Sequence, residues 1–250
     1  MKRLAILVVA ACSRPAAPPR APAPSNHVEP ARRDTPPPSI DWKDTRFAVH
    51  GLPAVAKGGE LAVVAVEDSD AGRGFPNLRV EVRDRSDRVV ETLPVMVSNE
   101  FERLVPDAQH ATPELAKRIA AANGRLAALH DAHDLVPLQP LEVMKSDDDP
   151  HLARGDDLFV EWLGNRLLVG RQPAADAPVQ HLASRDGTPW LAVQGRRCPQ
   201  CPPCENPAYL AGAYHADVAN TFMPVVVVEI GYRGTDTCWE PGHQWHVVAW

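Results

Sequence analysis

ELAVVAVE, Glu60–Glu67, and NLRVEVRD, Asn77–Asp84, decide how the rest of the chain reads. The first is an unbroken apolar run closed by a glutamate at each end, the pattern of a buried strand. The second alternates Leu78, Val80 and Val82 with Arg79, Glu81 and Arg83, the period of two of a strand with one face covered. RVVETLPVMV, Arg88–Val97, follows after the turn-prone Arg85-Ser86-Asp87. The short spacings predict three antiparallel strands.

A helix comes next. Thr112 is a natural N-cap, Pro113 suits the first helical position and Glu114 complements the first turn. Leu115, Ile119, Leu126 and Leu129 form one apolar stripe. Gly124 weakens the helix by about 1 kcal/mol relative to alanine. Pro137 and Pro140 bar its continuation.

Strands then resume. LFVEWLGNRLLVG, Leu158–Gly170, predicts a hairpin about Gly164-Asn165, a dipeptide that tolerates positive φ. PWLAVQG, MPVVVVEIGY and QWHVVAW, from residues 189, 223 and 244, read as further strands, the last ending the sequence given. NPAYLAGAYHADVA, Asn206–Ala219, fits a strand or a short helix. There is no internal repeat. The expected fold is α+β: one or two mostly antiparallel sheets with one main helix packed on a face, over residues 40–250. That length is ample for a core.

The first 39 residues read differently. Lys2 and Arg3 precede an eight-residue apolar run, Leu4–Ala11. A bilayer-spanning helix needs about 20 residues, so the run suits the core of a secretory signal. No other run reaches the 18 apolar residues of a membrane span. The series Val9-Ala10-Ala11-Cys12 resembles the lipobox of bacterial lipoproteins. The resemblance implies removal of residues 1–11, a diacylglycerol on the Cys12 sulfur and an acyl group on its amine. Several acyl chains anchor stably where one is marginal. Ser13 stands where inner-membrane lipoproteins commonly carry aspartate, which implies the outer membrane.

Residues 12–39 then form a linker. Nine of the 26 prolines fall between Arg14 and Ser39, with almost no bulky apolar residue. Such a segment buries too little to offset its ordering entropy, so it is expected to be disordered and extended. From Ile40 onward 30 acidic residues face 20 basic ones. That balance argues against nucleic acid, whose phosphates need clustered cations, and against a body lying flat on anionic lipid.

Export governs the reading of RRCPQCPPC, Arg196–Cys204. Beyond Cys12 the chain has four cysteines, Cys198, Cys201, Cys204 and Cys238, which in an oxidising compartment suggest two disulfides. In each of the three connectivities one bridge joins a close pair and the other reaches Cys238, closing a loop of 34 to 40 residues. Such a bridge is worth roughly 4 kcal/mol in the chain-entropy account. The same four cysteines, with His243 and His246, are also candidate zinc ligands, and their spacing resembles that of a four-iron ferredoxin cluster. Export disfavours both. A third reading takes one Cys-x-x-Cys pair as a redox centre, which requires a helix beginning at the thiol, supplied here by ENPAYLAGAYHA. The 20 residues from Cys204 to Pro224 are too few for the intervening elements of a thioredoxin.

Other motifs are weaker. Asp68 and Asp70 begin a calcium-loop pattern that lacks its third carboxylate and closing glutamate, so a polar hairpin loop is expected. His130 and His133, beside Asp131 and Asp134, suit the negative end of a helix as well as they suit a metal. SDDDP, Ser146–Pro150, reads as a solvated acidic loop. Nucleophile-elbow, P-loop and zinc-protease motifs are all missing, so no catalytic residue and no cofactor is expected.

EDSDAGRGFPNLRVEVRD, RIAAANGRLAAL and GTDTCWEP are similar to segments of uncharacterised exported lipoproteins of myxobacterial type, a resemblance that implies no activity. The sequence thus leads to a non-enzymatic envelope lipoprotein whose disulfide-stapled acidic domain binds or scaffolds an envelope protein or cell-wall component. The alternatives are an envelope thiol–disulfide oxidoreductase and a zinc-stabilised binding module.

Overall fold

The computed structural model describes residues 35–69, 74–107, 110–144, 151–190, 192–195, 204–216, 224–233 and 242–250. For residues 192–195 and 204–206 it describes the backbone alone. The region from Thr35 to Trp250 forms one unit.

It opens with a hairpin of β1 (Ser39–Lys43) and β2 (Arg46–His50), turned at Asp44 and Thr45, both at positive φ. β3 (Ala54–Val55), β4 (Leu61–Ser69), β5 (Pro76–Asp84) and β6 (Val89–Met96) follow. Helix α1 (Phe101–Leu104) and helix α2 (Pro113–His133) come next, and then β7 (Val136–Pro137). These strands form a first sheet in the order β6-β5-β4-β3-β7. After β8 (Gln139–Pro140), an outer sheet gathers β9 (Glu142–Val143), β10 (Leu152–Arg154), β11 (Leu158–Leu163), β12 (Arg166–Arg171) and β13 (Gln180–Asp186). A central sheet follows the order β14 (Ala192–Gly195), β15 (Cys204–His215), β16 (Val225–Tyr232) and β17 (Gln244–Ala249), with β8 added to β15. Every pairing is antiparallel.

The layers stack as helix, first sheet, central sheet, outer sheet. Strand β16 shows why. Val226, Val228, Ile230 and Tyr232 pack against Val160, Leu167 and Val169 of the outer sheet. Val225 and Val227 pack against Ala62, Val64 and Val66 of the first sheet. Both faces are covered, so both parities of the strand must be apolar. β4 obeys the same rule, with Val63 turned toward the helix side. An unbroken apolar run is usual for parallel sheets, but here two-sided burial imposes it on antiparallel ones.

Helix α2 forms as its sequence predicts. Thr112 Oγ1 accepts from the Leu115 N–H at 3.4 Å. Leu115, Ile119, Leu126 and Leu129 are buried against the first sheet with Ala122. The helix is ended by Asp134, in the left-handed region at φ 49°, and Pro137 is taken into β7. Glu100 accepts hydrogen bonds from Arg103 and from Arg118 of α2, and these hold its carboxyl down to about 2.

The architecture is richer in strand than expected, with three five-stranded sheets and a separate hairpin among the described residues in place of one or two sheets. NPAYLAGAYHADVA supplies all of β15 but its first two residues, and its helical option is not realised. Pairing with β14, β16 and β8 outweighs its alanine content. The small residues make room for rings: Tyr209 lies over Gly231 of β16, where a Cβ would come within 2.3 Å of the ring. In PWLAVQG the described strand is Ala192–Gly195, and Thr188–Trp190 form a turn of 3-10 helix. The outermost strand of the first sheet, β6, contains Pro94 and pairs with β5 through two register shifts.

Leu126→Ala is expected to lower stability by about 2–5 kcal/mol, the cost of a cavity in a packed core. Urea unfolding should show an earlier midpoint at unchanged m-value.

Candidate functional site

The turn between β5 and β6 projects Asp87 across the edge of the central sheet. Asp87 sits at φ 69°, which a short polar side chain tolerates. Its carboxylate is 6% exposed, and four groups surround it. Arg83 Nη1 lies 3.0 Å from Oδ1 and Arg185 Nη2 3.3 Å from Oδ2. His246 Nδ1 lies 2.8 Å from Oδ2, and the Val247 N–H donates to Oδ1 at 2.7 Å. Burial alone would raise this carboxyl. The His246 ring, the Val247 N–H and the Arg83 charge outweigh it and hold Asp87 below the ordinary carboxylate range.

These contacts join all three sheets. Arg185 of β13 also donates to the Val247 carbonyl at 2.6 Å, so both main-chain groups of Val247 meet a side chain. Arg185 lies over the Trp190 ring at 5.3 Å, and Trp190 stacks on His246 at 4.0 Å. Glu81, expected on the outward face of its strand, is 6% exposed and bridges Arg79 and Arg83. The alternation of β5 holds, but this polar face is covered. The Asp87 centre has every mark of a structural tie.

A second polar group lies where the apolar layer between the first and central sheets gives way. Glu229 is the one charge inside VVVVEI, Val225–Ile230. Its Oε1 lies 2.6 Å from His243 Nδ1, and its Oε2 accepts from the Tyr214 hydroxyl at 3.4 Å. Tyr214 tilts against Trp245, and Tyr209 meets His243 edge-on. Burial and then the Glu229 charge push Tyr214 up to about 12. The same two causes raise the Glu67 carboxyl above its ordinary value. Asp68 is held by Arg79 at 3.2 Å, and Gly242 packs so closely that a Cβ there would lie 2.5 Å from the Asp68 Cβ. Glu67, Glu229, Tyr214 and His243 thus form an acidic cluster flanked by aromatic rings.

The residues singled out in the sequence fare unevenly. Cys12, Asp70, Cys198, Cys201, Cys238 and the loop of residues 146–150 lie outside the described residues. Cys204 opens β15, so the segment that the redox reading needs as a helix is a strand. His243 and His246 are drawn to Glu229 and Asp87 respectively, and the structure does not bring them together. His133 Nδ1 lies 2.9 Å from Glu60, apart from any use with His130. Among the described residues no group of three or more histidine, cysteine or acidic side chains is placed to hold a metal ion.

Sequence reasoning missed Asp87, Glu229, Glu67 and Tyr214. Only Glu229 carried a signal, a lone charge inside a buried strand. Comparison of the chain with protein-family models, curated proteins and solved structures gives no match.

Asp87→Ala is expected to cost about 3–5 kcal/mol, because it removes the buried carboxylate that Arg83, Arg185, His246 and the Val247 N–H share. A depressed carboxyl stabilises the fold at every pH above its unfolded value, 3.8, and that stabilisation is lost as pH falls through the lower folded value. Acid unfolding of Asp87→Asn should therefore be flatter than that of the wild type below about pH 4. In Glu229→Gln, loss of the neighbouring charge should bring the Glu67 carboxyl and the Tyr214 hydroxyl to lower titration midpoints, read by NMR.

Proposed function

We propose that this chain is a non-enzymatic lipoprotein of the bacterial cell envelope, exported, processed before Cys12 and held by acyl chains, with the outer membrane as its site. The observation that carries this reading is the order of Lys2-Arg3, the apolar Leu4–Ala11 and Val9-Ala10-Ala11-Cys12. The proline-rich residues that follow hold the body off the surface, and the acidity of the body keeps it from settling on anionic lipid. No helix among the described residues is long and apolar enough to cross a membrane.

The body binds or scaffolds an envelope component. The acidic cluster of Glu67, Glu229, Tyr214 and His243 supports a binding role, since it sets carboxylates beside aromatic rings. Cys198, Cys201, Cys204 and Cys238 staple the chain as two disulfides.

Palmitate labelling of the expressing cell tests the anchor: the wild type incorporates label and Cys12→Ala does not. Label retained in the variant, or absent from both, removes the reading. Mass spectrometry of the mature protein with and without reduction tests the staples. Two bridges stable to glutathione are expected. A readily reduced pair would favour an oxidoreductase, and four free thiols with stoichiometric zinc a zinc module.

A further inference from the structure

The β1–β2 hairpin belongs to none of the three sheets. One side of β1 pairs with β2, and its other side is hydrogen-bonded to α2 through Ile40. There the Ile40 N–H donates to Asn123 Oδ1 at 2.8 Å, and Asn123 Nδ2 donates to the Ile40 carbonyl at 2.9 Å. One side-chain amide thus takes the place of a neighbouring strand. The Ile40 side chain is fully buried in the core beneath α2. Immediately before β1, Pro38 packs on Gly51, where a Cβ would stand 3.3 Å from the Pro38 Cα.

The register sets the mechanics. Ser39 pairs with His50 and Ile40 with Val49, so the chain enters and leaves the hairpin at the same end. A pull on the residues before Ser39 opens such a hairpin pair by pair, the weak direction for a β-ladder, because each hydrogen bond bears the load alone. Resistance comes from the Asn123 amide and the buried Ile40 side chain at the second pair, and from Trp42, Phe47 and Val49, which pack against the core.

We propose that the β1–β2 hairpin is a strap, buckled to α2 by Asn123, that takes the tension of the membrane-linked segment and opens while the three sheets stay folded. The source of tension rests on the Cys12 anchor proposed above. The buckle itself rests on geometry alone.

Two measurements on the full chain test it. Hydrogen exchange in Asn123→Ala should quicken over residues 35–51 by about thirtyfold, the effect of losing two hydrogen bonds. Residues 225–232 should exchange as in the wild type. Pulling between attachment points at residues 12 and 250 should give an early extension of about 40 Å, the length of the freed hairpin, before the main unfolding event. Asn123→Ala should lower the force of that early event alone. Unchanged exchange over residues 35–51, faster exchange of both segments together, or a single unfolding event would overturn the strap. Neither readout depends on lipidation, so a failed buckle and a missing anchor are told apart.

Discussion

Burial of the central sheet on both faces is the constraint from which the rest follows. β16 divides the protein into two apolar layers, one shared with the first sheet and one with the outer sheet. Its residues of both parities are taken out of water, so it contributes to both cores at once. The first sheet then needs a cover for its far face, which α2 and the β1–β2 hairpin supply. The helix is an accessory to a stack of sheets rather than the organiser of the core.

A stack of sheets has edges, and among the described residues β17 is an edge strand of the central one. Its main-chain groups are met by side chains from the sheets on either side. Asp87 reaches Val247 from the first sheet, Arg185 reaches it from the outer sheet, and Arg85 donates to the Trp250 carbonyl. The carboxylate at the centre pairs with Arg83 and Arg185 while satisfying a backbone donor, so charge pairing and strand-edge protection are accomplished by one residue.

What the sequence disclosed follows period and punctuation. α2 was legible because its cap, its first-turn proline and its apolar stripe agree. β4, β5 and the β11–β12 hairpin were legible for the same reason, with Gly164 at positive φ in the turn. β15 was not, because alanine and glycine encode no period and its pairing partners are distant in sequence. The β1–β2 hairpin hid behind an Asp44-Thr45 turn that lacks the usual glycine. Asp87 resembled any turn aspartate; its role depends on Arg185 and His246, 98 and 159 residues further along the chain. Glu229 alone was out of place in its own strand.

The construction of β6 bears on association between copies of the chain. An open strand edge is a template for stacking copy upon copy. Pro94 lacks an N–H to offer, and two shifts of register interrupt the regular ladder. Neighbouring copies are therefore denied a straight seam along which to polymerise.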